Sequence, residues 1–340
     1  MALETLLWSW YTDPEIHRRE QERIFRRSWQ YVGHVGQLEE PGARFPAAAG
    51  DVPVLVVRDE IGELRAFLNV CRHRGTVLVE GEGRGATIQC SYHAWTYDLD
   101  GALRAAPRAD REAQFEATEL GLRPLQVDTW GPLIFVNPDL DAAPLAEALG
   151  ELPALVAQAG LDLDAVHFRE RVPYRVEANW KIVAENFLEC YHCPVAHREF
   201  SAAVETDPDA YVLEAHDAFW SQYCVAKDGG GKGQFHLLWP TFRLNSFPGP
   251  VNVSVASLVP EGPERSRGFF DYFFGQDVSD GQARELLAFD DRVGREDRGL
   301  VESVQRGVRS GLLDRGRLLP QSEKLVAGFQ RRIADTLSNR

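Results

Sequence analysis

The spacing of apolar residues changes from helical to strand-like along the first half of the chain. Residues 13–30 place apolar side chains at helical spacing among charged ones, and we expect a helix there. From about 40 to 140 the pattern becomes short apolar runs separated by turn residues. VPVLVVRDEIGELRAFLNV predicts two strands around a turn, Asp100-Gly101 predicts a hairpin, and WGPLIFVNP predicts another strand. This region is therefore expected to be a small all-β domain.

The second half mixes both periodicities. A helical, proline-containing connector is expected over about 142–160, and HFRERVPYRVEA then predicts a strand. ANWKIVAENFLECYH has apolar residues at helical spacing, so we expect a helix that ends near His192. Strands are expected over 210–275, and two helices over about 280–309 and 321–337. This order predicts an antiparallel sheet with helices packed on it.

Composition and charge narrow the class of protein. A length of 340 residues suggests roughly two domains. The net charge of −14 argues against nucleic-acid binding, which needs a positive surface. No stretch approaches the roughly 20 apolar residues of a membrane helix. Because the five cysteines are an odd number, we do not expect a disulfide framework, and we expect a cytoplasmic protein.

The first candidate metal site lies in the segment from Cys71 to His93. Cys71-x-His73 is followed, after 16 intervening residues, by Cys90-x-x-His93. Zinc accepts mixed Cys and His ligands, but a zinc finger supplies two cysteines and then two histidines. Here each loop supplies one of each, which suits a Rieske [2Fe-2S] cluster with thiolates on one iron and imidazoles on the other. We therefore predict a Rieske cluster, with structural zinc as the alternative.

A second candidate site involves His192 and His197 in ENFLECYHCPVAH. A mononuclear non-heme iron takes two histidines and one carboxylate, with open positions for oxygen and substrate. In the helix expected over 280–309, Asp297 fills the one gap in an apolar stripe that is expected to be buried: Leu286, Phe289, Val293, Leu300, Val304 and Val308. A carboxylate in a buried stripe is unfavourable unless it is paired with an arginine or bound to metal. We predict a His192/His197/Asp297 triad. Three other acids of this helix remain as alternatives: Asp290, Asp291 and Glu296.

These segments resemble the large (alpha) subunits of Rieske non-heme iron oxygenases. CRHRG with CSYHAW resembles their Rieske loops, and NWKIVAENFLECYHCPVAH resembles their mononuclear-iron segment. The Asp297…Glu302 spacing resembles their third-ligand helix, and the match covers nearly the whole chain in the family's order. Ser91 stands where these loops often carry proline, and Ala94 where they often carry glycine. Both departures are expected to alter loop packing rather than ligation.

The resemblance implies an α+β fold in three parts. Residues 1–38 would form an N-terminal helical segment that packs on the catalytic domain. Residues 39–145 would form the all-β Rieske [2Fe-2S] domain. Residues 146–340 would form a helix-grip-like catalytic domain for the mononuclear iron, with an antiparallel sheet and helices.

Glu189 connects the resemblance to substrate and assembly. Many members of the family have aspartate at this position, and a glutamate resembles the branch that oxidises quaternary ammonium compounds, such as glycine betaine and carnitine monooxygenases. In the family this acid bridges the iron histidine and a Rieske histidine of the neighbouring subunit. The resemblance implies a homotrimer in which Glu189 links His192 to His93, or to His73, of the next chain. We also expect Asn186 to lie near the iron.

The implied activity is that of a terminal oxygenase. Electrons from NAD(P)H would arrive through a separate reductase or ferredoxin, pass through the cluster, and reach Fe(II), where O2 is used to hydroxylate a small molecule. A quaternary ammonium substrate would undergo N-demethylation or C–N cleavage, whereas an aromatic ring-hydroxylating dioxygenase would form a cis-diol. Five aromatic residues are candidates for a cation cage, with ordinary core packing as the alternative: Trp220, Tyr223, Phe235, Trp239 and Phe247.

Two other classes of protein remain as alternatives. A Rieske electron carrier would not need the second half of the chain, and a zinc-stabilised ligand-binding protein would be colourless. An oxygenase should contain about three irons per chain, and a carrier about two. Cys190 and Cys193 form a C-x-x-C sequence around His192, and packing is favoured over a redox pair.

Overall fold

The computed structural model describes residues 3–338. The chain folds as two compact units. Residues 25–145 form one unit, called here the β unit, and residues up to 24 join residues 146–338 in the other, called the mixed unit. Residues 25–38 were expected in the N-terminal segment, and they fold with the β unit. No helix within the described range is both long and apolar enough to cross a membrane.

The N-terminal segment of the mixed unit holds strand β1 (Leu3–Glu4) and helix α1 (Pro14–Arg23). Asp13 caps α1, because its side chain accepts the Glu15 N–H at 2.7 Å. Arg23 Nη1 donates to the Leu337 carbonyl at 2.9 Å, which ties α1 to the C-terminal helix. The helix was expected to reach residue 30, and this is wrong, since the sequence from residue 30 enters a buried strand.

The β unit contains ten strands. Its main sheet has seven strands in the order β2-β11-β10-β5-β4-β3-β6, and a smaller sheet has the order β7-β8-β9. The alternating apolar residues of β3, β4 and β11 form one core beneath the main sheet. The strands are β2 (Gln30–His34), β3 (Ala43–Ala49), β4 (Val52–Arg58), β5 (Leu64–Leu68), β6 (Gly83–Arg84), β7 (Ile88–Gln89), β8 (Thr96–Tyr97), β9 (Leu103–Ala105), β10 (Pro124–Trp130) and β11 (Leu133–Asn137).

The mixed unit is a seven-stranded antiparallel sheet with helices. The strand order is β12-β18-β17-β16-β15-β14-β13. The strands are β12 (Val166–Val176), β13 (Val212–Ala215), β14 (Phe219–Val225), β15 (Lys232–Leu238), β16 (Phe242–Ser246), β17 (Asn252–Gly262) and β18 (Arg265–Gly275), and β19 (Arg317–Leu318) pairs with β1. The helices are α2 (Leu145–Leu149), α3 (Leu152–Gln158), α4 (Trp180–Phe187), α5 (Cys193–Ala196), α6 (Arg198–Ala203), α7 (Asp280–Val308) and α8 (Lys324–Ser338). The predicted α+β class is confirmed.

The C-terminal half of α7 differs in part from the stripe expected. Leu300 and Val304 are 38% and 49% exposed in the single chain. Val301 and Gln305 are buried instead, whereas Val308 is buried as expected. Residues four apart share a helix face, so Asp297 still precedes Val301 on the buried side. The prediction that Leu300 and Val304 are core residues is therefore wrong, although the position of Asp297 stands.

The segment between α4 and α5 also differs from its expectation. Helix α4 ends at Phe187, and Tyr191 is 63% exposed. Pro194 lies in the first turn of the short helix α5, where its missing N–H is tolerated, so it begins a helix rather than breaking one. Cys190 and Cys193 form a disulfide, contrary to the expectation that they only pack.

Candidate metal centres and substrate cavity

The two Cys/His loops of the β unit fold in the same way. In the first loop the Cys71 N–H donates to the Thr76 carbonyl at 2.8 Å, and the Gly75 N–H donates back to Cys71 at 3.0 Å. In the second loop the Cys90 N–H donates to the Trp95 carbonyl at 2.8 Å. The backbone N–H four residues after Cys90 donates to the Cys90 carbonyl at 3.1 Å and closes this turn as well. Each cysteine is thus held at the start of a closed turn.

The equivalent turn positions carry Gly75 and Ala94, whose φ angles are +78° and +55°. Glycine adopts this left-handed conformation freely, whereas an L-residue with a Cβ is destabilised there by roughly 1–2 kcal/mol. Alanine in place of the family's usual glycine at residue 94 was expected to alter only the packing of the loop. The structure shows that it also affects the backbone conformation of the loop.

The four predicted cluster ligands differ in their exposure to solvent. The Cys71 and Cys90 thiols are free and buried, whereas His73 and His93 are exposed, with ring centroids 4.6 Å apart. Burial alone would raise the pKa of the Cys90 thiol. Backbone N–H groups in its loop, and the Cys71 side chain, hydrogen-bond it and lower its pKa overall. Two buried thiols in loops that also carry two imidazoles match the donor set of a Rieske cluster.

Tyr97 is a contact of this site that sequence reasoning missed. Its hydroxyl lies 3.3 Å from the Cys71 sulfur and accepts the Arg72 N–H at 3.0 Å. The side chain is buried in the core beneath the loops. It was hidden in the sequence because strand aromatics are common and nothing local distinguishes this one.

The structure brings His192, His197 and Asp297 together in the mixed unit. Their ligand atoms all lie within 4.8 Å of one another. His197 Nε2 lies 3.0 Å from His192 Nε2 and 3.0 Å from Asp297 Oδ1. His192 Nε2 lies 3.4 Å from the same carboxylate oxygen. The histidines come from the α4–α5 loop and the start of α6, and Asp297 reaches them from α7.

Two further carboxylates orient the imidazoles. Glu189 Oε1 is hydrogen-bonded to His192 Nδ1, and Glu189 Oε2 accepts the N–H groups of Tyr191 and His192. Glu296 Oε2 lies 2.8 Å from His197 Nδ1. Each Nδ1 is therefore a donor, which leaves both Nε2 lone pairs pointing at one place. The role of Glu296 was missed, because its spacing resembles that of any exposed acid on α7.

The charges around the triad favour a cation. Burial alone would lower the pKa of His192, but hydrogen bonds and charges from Asp297 and Glu189 raise it to about 9. The pKa of His197 is also raised against the effect of burial. In turn the two histidines hold the pKa of Asp297 well below its usual range, although burial opposes this. Two imidazole nitrogens and one carboxylate that converge in this way match the donor set of a mononuclear non-heme iron.

The triad opens onto a cavity of about 460 Å³. One row of the sheet register, running from β12 to β14, faces this cavity through Glu170, Tyr272, Asn245, Phe235 and Gln222. Residues of α4 and α7 close the other side, and the predicted residue Asn186 is among them. The wall combines aromatic rings with carboxylates.

The structure separates the five aromatic candidates. Phe235 and Phe247 line the cavity, with ring centroids 5.4 Å apart. Trp220 and Trp239 pack against a phenylalanine of α8 instead. Tyr223 packs on a buried histidine, because it alternates along β14 with the cavity residue Gln222 and so faces away. A cavity role for Trp220, Tyr223 and Trp239 is therefore wrong.

Buried polar residues of the cavity were also missed. Asp290, in α7, accepts a hydrogen bond from the Tyr272 hydroxyl at 2.8 Å, and burial raises the pKa of this carboxyl group. Arg243, in β16, lies on the same wall. A sequence gives no sign that either residue faces a cavity, because Arg243 is placed by strand register and Asp290 by the rotation of α7.

Comparison with protein families gives two matches along the chain. A model of the Rieske [2Fe-2S] domain matches residues 28–123. A model of the ring hydroxylating alpha subunit (catalytic domain) matches residues 163–234 and 221–339. The matches contain the two Cys/His loops and the His/His/Asp triad, respectively.

Curated relatives and solved structures agree with these matches. The chain is 34% identical over 331 residues to the chloroplastic choline monooxygenase of Arabidopsis thaliana, covering 91% of this chain and 77% of that protein. It is 33% identical over 325 residues to the carnitine monooxygenase oxygenase subunit of Escherichia coli K12, covering 92% and 86%. The quaternary ammonium Rieske monooxygenase CntA in complex with L-carnitine superposes with a TM-score of 0.89 at 30% identity, covering 99% and 96%. Naphthalene 1,2-dioxygenase shares the fold, with a TM-score of 0.83, 20% identity, and coverage of 99% and 92%. The chain therefore belongs to the Rieske oxygenase family, as an alpha subunit with a [2Fe-2S] domain and a mononuclear-iron catalytic domain.

Proposed function

We propose that this oxygenase hydroxylates a quaternary ammonium compound on an N-methyl group or on a carbon next to nitrogen. The observation that carries the proposal is the cavity wall, where aromatic faces and carboxylates surround the space beside the triad. Aromatic faces and carboxylates attract a permanent cation. The choline and carnitine monooxygenases support this class, because they match nearly the whole chain at 31–34% identity.

We assign the cluster to Cys71, His73, Cys90 and His93, and the mononuclear iron to His192, His197 and Asp297. When bound, the two centres supply electron transfer and O2 activation. The protein's own part at the iron is to hold three donors in place. Glu189 and Glu296 do this for the imidazoles, because hydrogen bonds to Nδ1 fix the ring orientation.

The overall chemistry consumes one O2, two electrons and two protons. One oxygen atom enters a C–H bond of the substrate and the other leaves as water. Hydroxylation next to nitrogen gives a carbinolamine. Its C–N bond then breaks, with the electron pair staying on nitrogen and the hydroxyl proton leaving as the carbonyl forms. The products are an amine and an aldehyde, and the electrons come from NAD(P)H through a separate reductase.

The assembly proposed for this chemistry is a head-to-tail homotrimer. Glu189 would link His192 to His93, or to His73, of the next chain, since a carboxylate oxygen that already accepts one hydrogen bond has a second lone pair. Tyr191 and Val195 flank His192 and are 63% and 83% exposed in the single chain, which suits a surface covered by a neighbour. The structure of CntA has been connected with inter-subunit electron transfer. The cytoplasm is the proposed compartment, where the free Cys71 and Cys90 thiols stay reduced before they bind the cluster and where the Cys190–Cys193 disulfide would be reduced.

Paired variants test the two metal assignments separately. Cys71→Ala should remove the visible Rieske spectrum, because the thiolate is lost. His192→Ala should keep that spectrum and lower the iron content from about three to about two per chain. With a reductase present, wild type should convert a trimethylammonium compound into an amine and an aldehyde, and His192→Ala should not. Product formation by His192→Ala at the wild-type rate would contradict the assignment.

A further inference from the structure

Arg243 has an unusual environment for a charged residue in a cavity wall. Its Nη2 donates to the Tyr174 hydroxyl at 3.2 Å, which is its one hydrogen bond within residues 3–338. The guanidinium carbon lies 5.4 Å from the ring centroid of Phe187 and 5.1 Å from that of Phe270. Its Nε is buried and has no hydrogen-bond partner. Two aromatic rings and one neutral hydroxyl thus surround a group that is always charged.

Arg243 interacts electrostatically with Asp290 without forming an ion pair with it. Within residues 3–338 no carboxylate lies within ion-pair distance of its guanidinium. Asp290 is engaged by the Tyr272 hydroxyl, and Asp291 pairs with Arg295 at 3.1 Å. Asp297 faces the histidines. A guanidinium has five N–H donors, and one of those of Arg243 is bonded to Tyr174, so an anion brought by a ligand would find donors available here.

We propose that Arg243 binds a carboxylate of the substrate, so that the substrate is a zwitterion with a quaternary ammonium at one end and a carboxylate at the other. This inference rests on the proposed function and narrows its substrate class to betaines. The planar fork of arginine matches the two oxygens of a carboxylate, and the two Nη groups of Arg243 carry further N–H donors besides the one bonded to Tyr174.

The charge of Arg243 also argues against a substrate that is only a cation. Arg243 is two residues from Asn245 on β16, so both side chains face the cavity. A substrate that is only a cation would leave the Arg243 guanidinium with the Tyr174 hydroxyl as its hydrogen-bond partner. A betaine supplies an anionic partner, because its carboxylate can pair with the arginine while its ammonium remains free for aromatic faces and acids.

The test is calorimetric binding to the holoprotein with three matched ligands. γ-Butyrobetaine has both charges, its methyl ester keeps only the cation, and its isostere with carbon in place of nitrogen keeps only the anion. Wild type should bind γ-butyrobetaine about 10- to 100-fold more tightly than the ester, as expected for a charge-assisted pair. Equal affinity for the betaine and the ester would overturn the proposal without any variant.

Arg243→Gln should weaken γ-butyrobetaine binding by the same factor and remove binding of the carbon isostere. It should leave the ester within about threefold of wild type, since the ester makes no ion pair. Arg298→Gln is the matched control, because Arg298 is an exposed arginine of the same cavity. That variant should keep the preference for the carboxylate. Equal losses for betaine and ester in Arg243→Gln would contradict the proposal.

Tyr174→Phe gives a second variant that keeps the charge of Arg243. It removes the hydroxyl that orients the guanidinium, so it should reduce only the preference for the carboxylate, by a few-fold. The carbon isostere reports on the anion site alone, whereas amine formation reports on the oxidation alone. Failure of the carboxylate site and failure of the proposed reaction are therefore distinguishable.

Discussion

Removal of the Glu296 carboxylate should weaken iron binding at the mixed unit. Glu296 Oε2 lies 2.8 Å from His197 Nδ1 and fixes the ring whose Nε2 faces Asp297. Carboxylates in this position change metal affinity by about 10- to 100-fold. The Glu296 side chain is 39% exposed, whereas His197 is 3% exposed. Water can therefore replace part of the lost bond, and Glu296→Ala should weaken Fe(II) binding by about tenfold, or ~1.4 kcal/mol.

The assay is an anaerobic Fe(II) titration of protein that has lost the mononuclear iron but keeps its Rieske spectrum. Glu296→Gln should give a smaller loss, because the amide oxygen still accepts the hydrogen bond without the charge. Glu285→Ala serves as the control, since Glu285 is exposed on the same helix and contacts neither histidine. It should bind Fe(II) like wild type. Wild-type affinity in Glu296→Ala, or equal losses in Glu296→Ala and Glu285→Ala, would refute the orienting role.

Three further predictions concern electron transfer, loop conformation and pH. Glu189→Gln should keep both metal centres but slow reoxidation of a pre-reduced Rieske cluster by at least about tenfold, measured in one turnover with substrate and O2; a wild-type rate would exclude the bridge. Ala94→Gly should stabilise the β unit against denaturant by about 1 kcal/mol, because glycine accepts the +55° φ angle; a lower stability would show that the alanine is not strained. Burial raises the pKa of Glu185 to about 7 from an ordinary 4.5. The carboxyl therefore disfavours folding progressively as pH rises from about 4.5 to about 7, and Glu185→Gln should be about 2 kcal/mol more stable than wild type at pH 8 but not at pH 4, by denaturant titration.

Features that depend on local chemistry could be predicted from the sequence. The strand-and-turn texture of the β unit follows from alternation and turn residues, and the structure confirms β4, β5 and the turn at Gly101. The Cys/His loops stand out because four metal-binding side chains in two short segments are rare. Helix α7 has a long periodic pattern, so its span was predicted within a few residues.

Features that depend on packing across the fold could not be predicted. Helix α4 stops at Phe187, although its apolar pattern continues to Tyr191, because the loop beyond it is organised around the Glu189 side chain. Leu300 and Val304 look like core residues by spacing, but the helix is rotated so that Val301 is buried. Local spacing does not determine that rotation, which is set by contacts with strands far away in sequence.

The positions of Arg243 and Glu296 in the site could not be predicted from the sequence for the same reason. Each is an ordinary charged residue by composition, and only strand register or helix rotation turns it toward the cavity or toward His197. By contrast, Asp297 was visible in the sequence because it interrupts an apolar stripe. The residues of the His/His/Asp triad could therefore be predicted from the sequence, whereas the hydrogen bond of Glu296 to His197 and the place of Arg243 in the cavity wall could not.

The most direct test of the account is oxygen uptake measured together with product. The assay mixture contains purified protein, a reductase and NADH. Betaines, carnitine, choline relatives and a simple arene are added in separate reactions, with His192→Ala as the inactive control. We expect a trimethylammonium compound with a carboxylate to stimulate oxygen uptake, with one amine formed for each O2 consumed. Uptake matched by cis-diol from the arene, with no product from any quaternary ammonium compound, would contradict it.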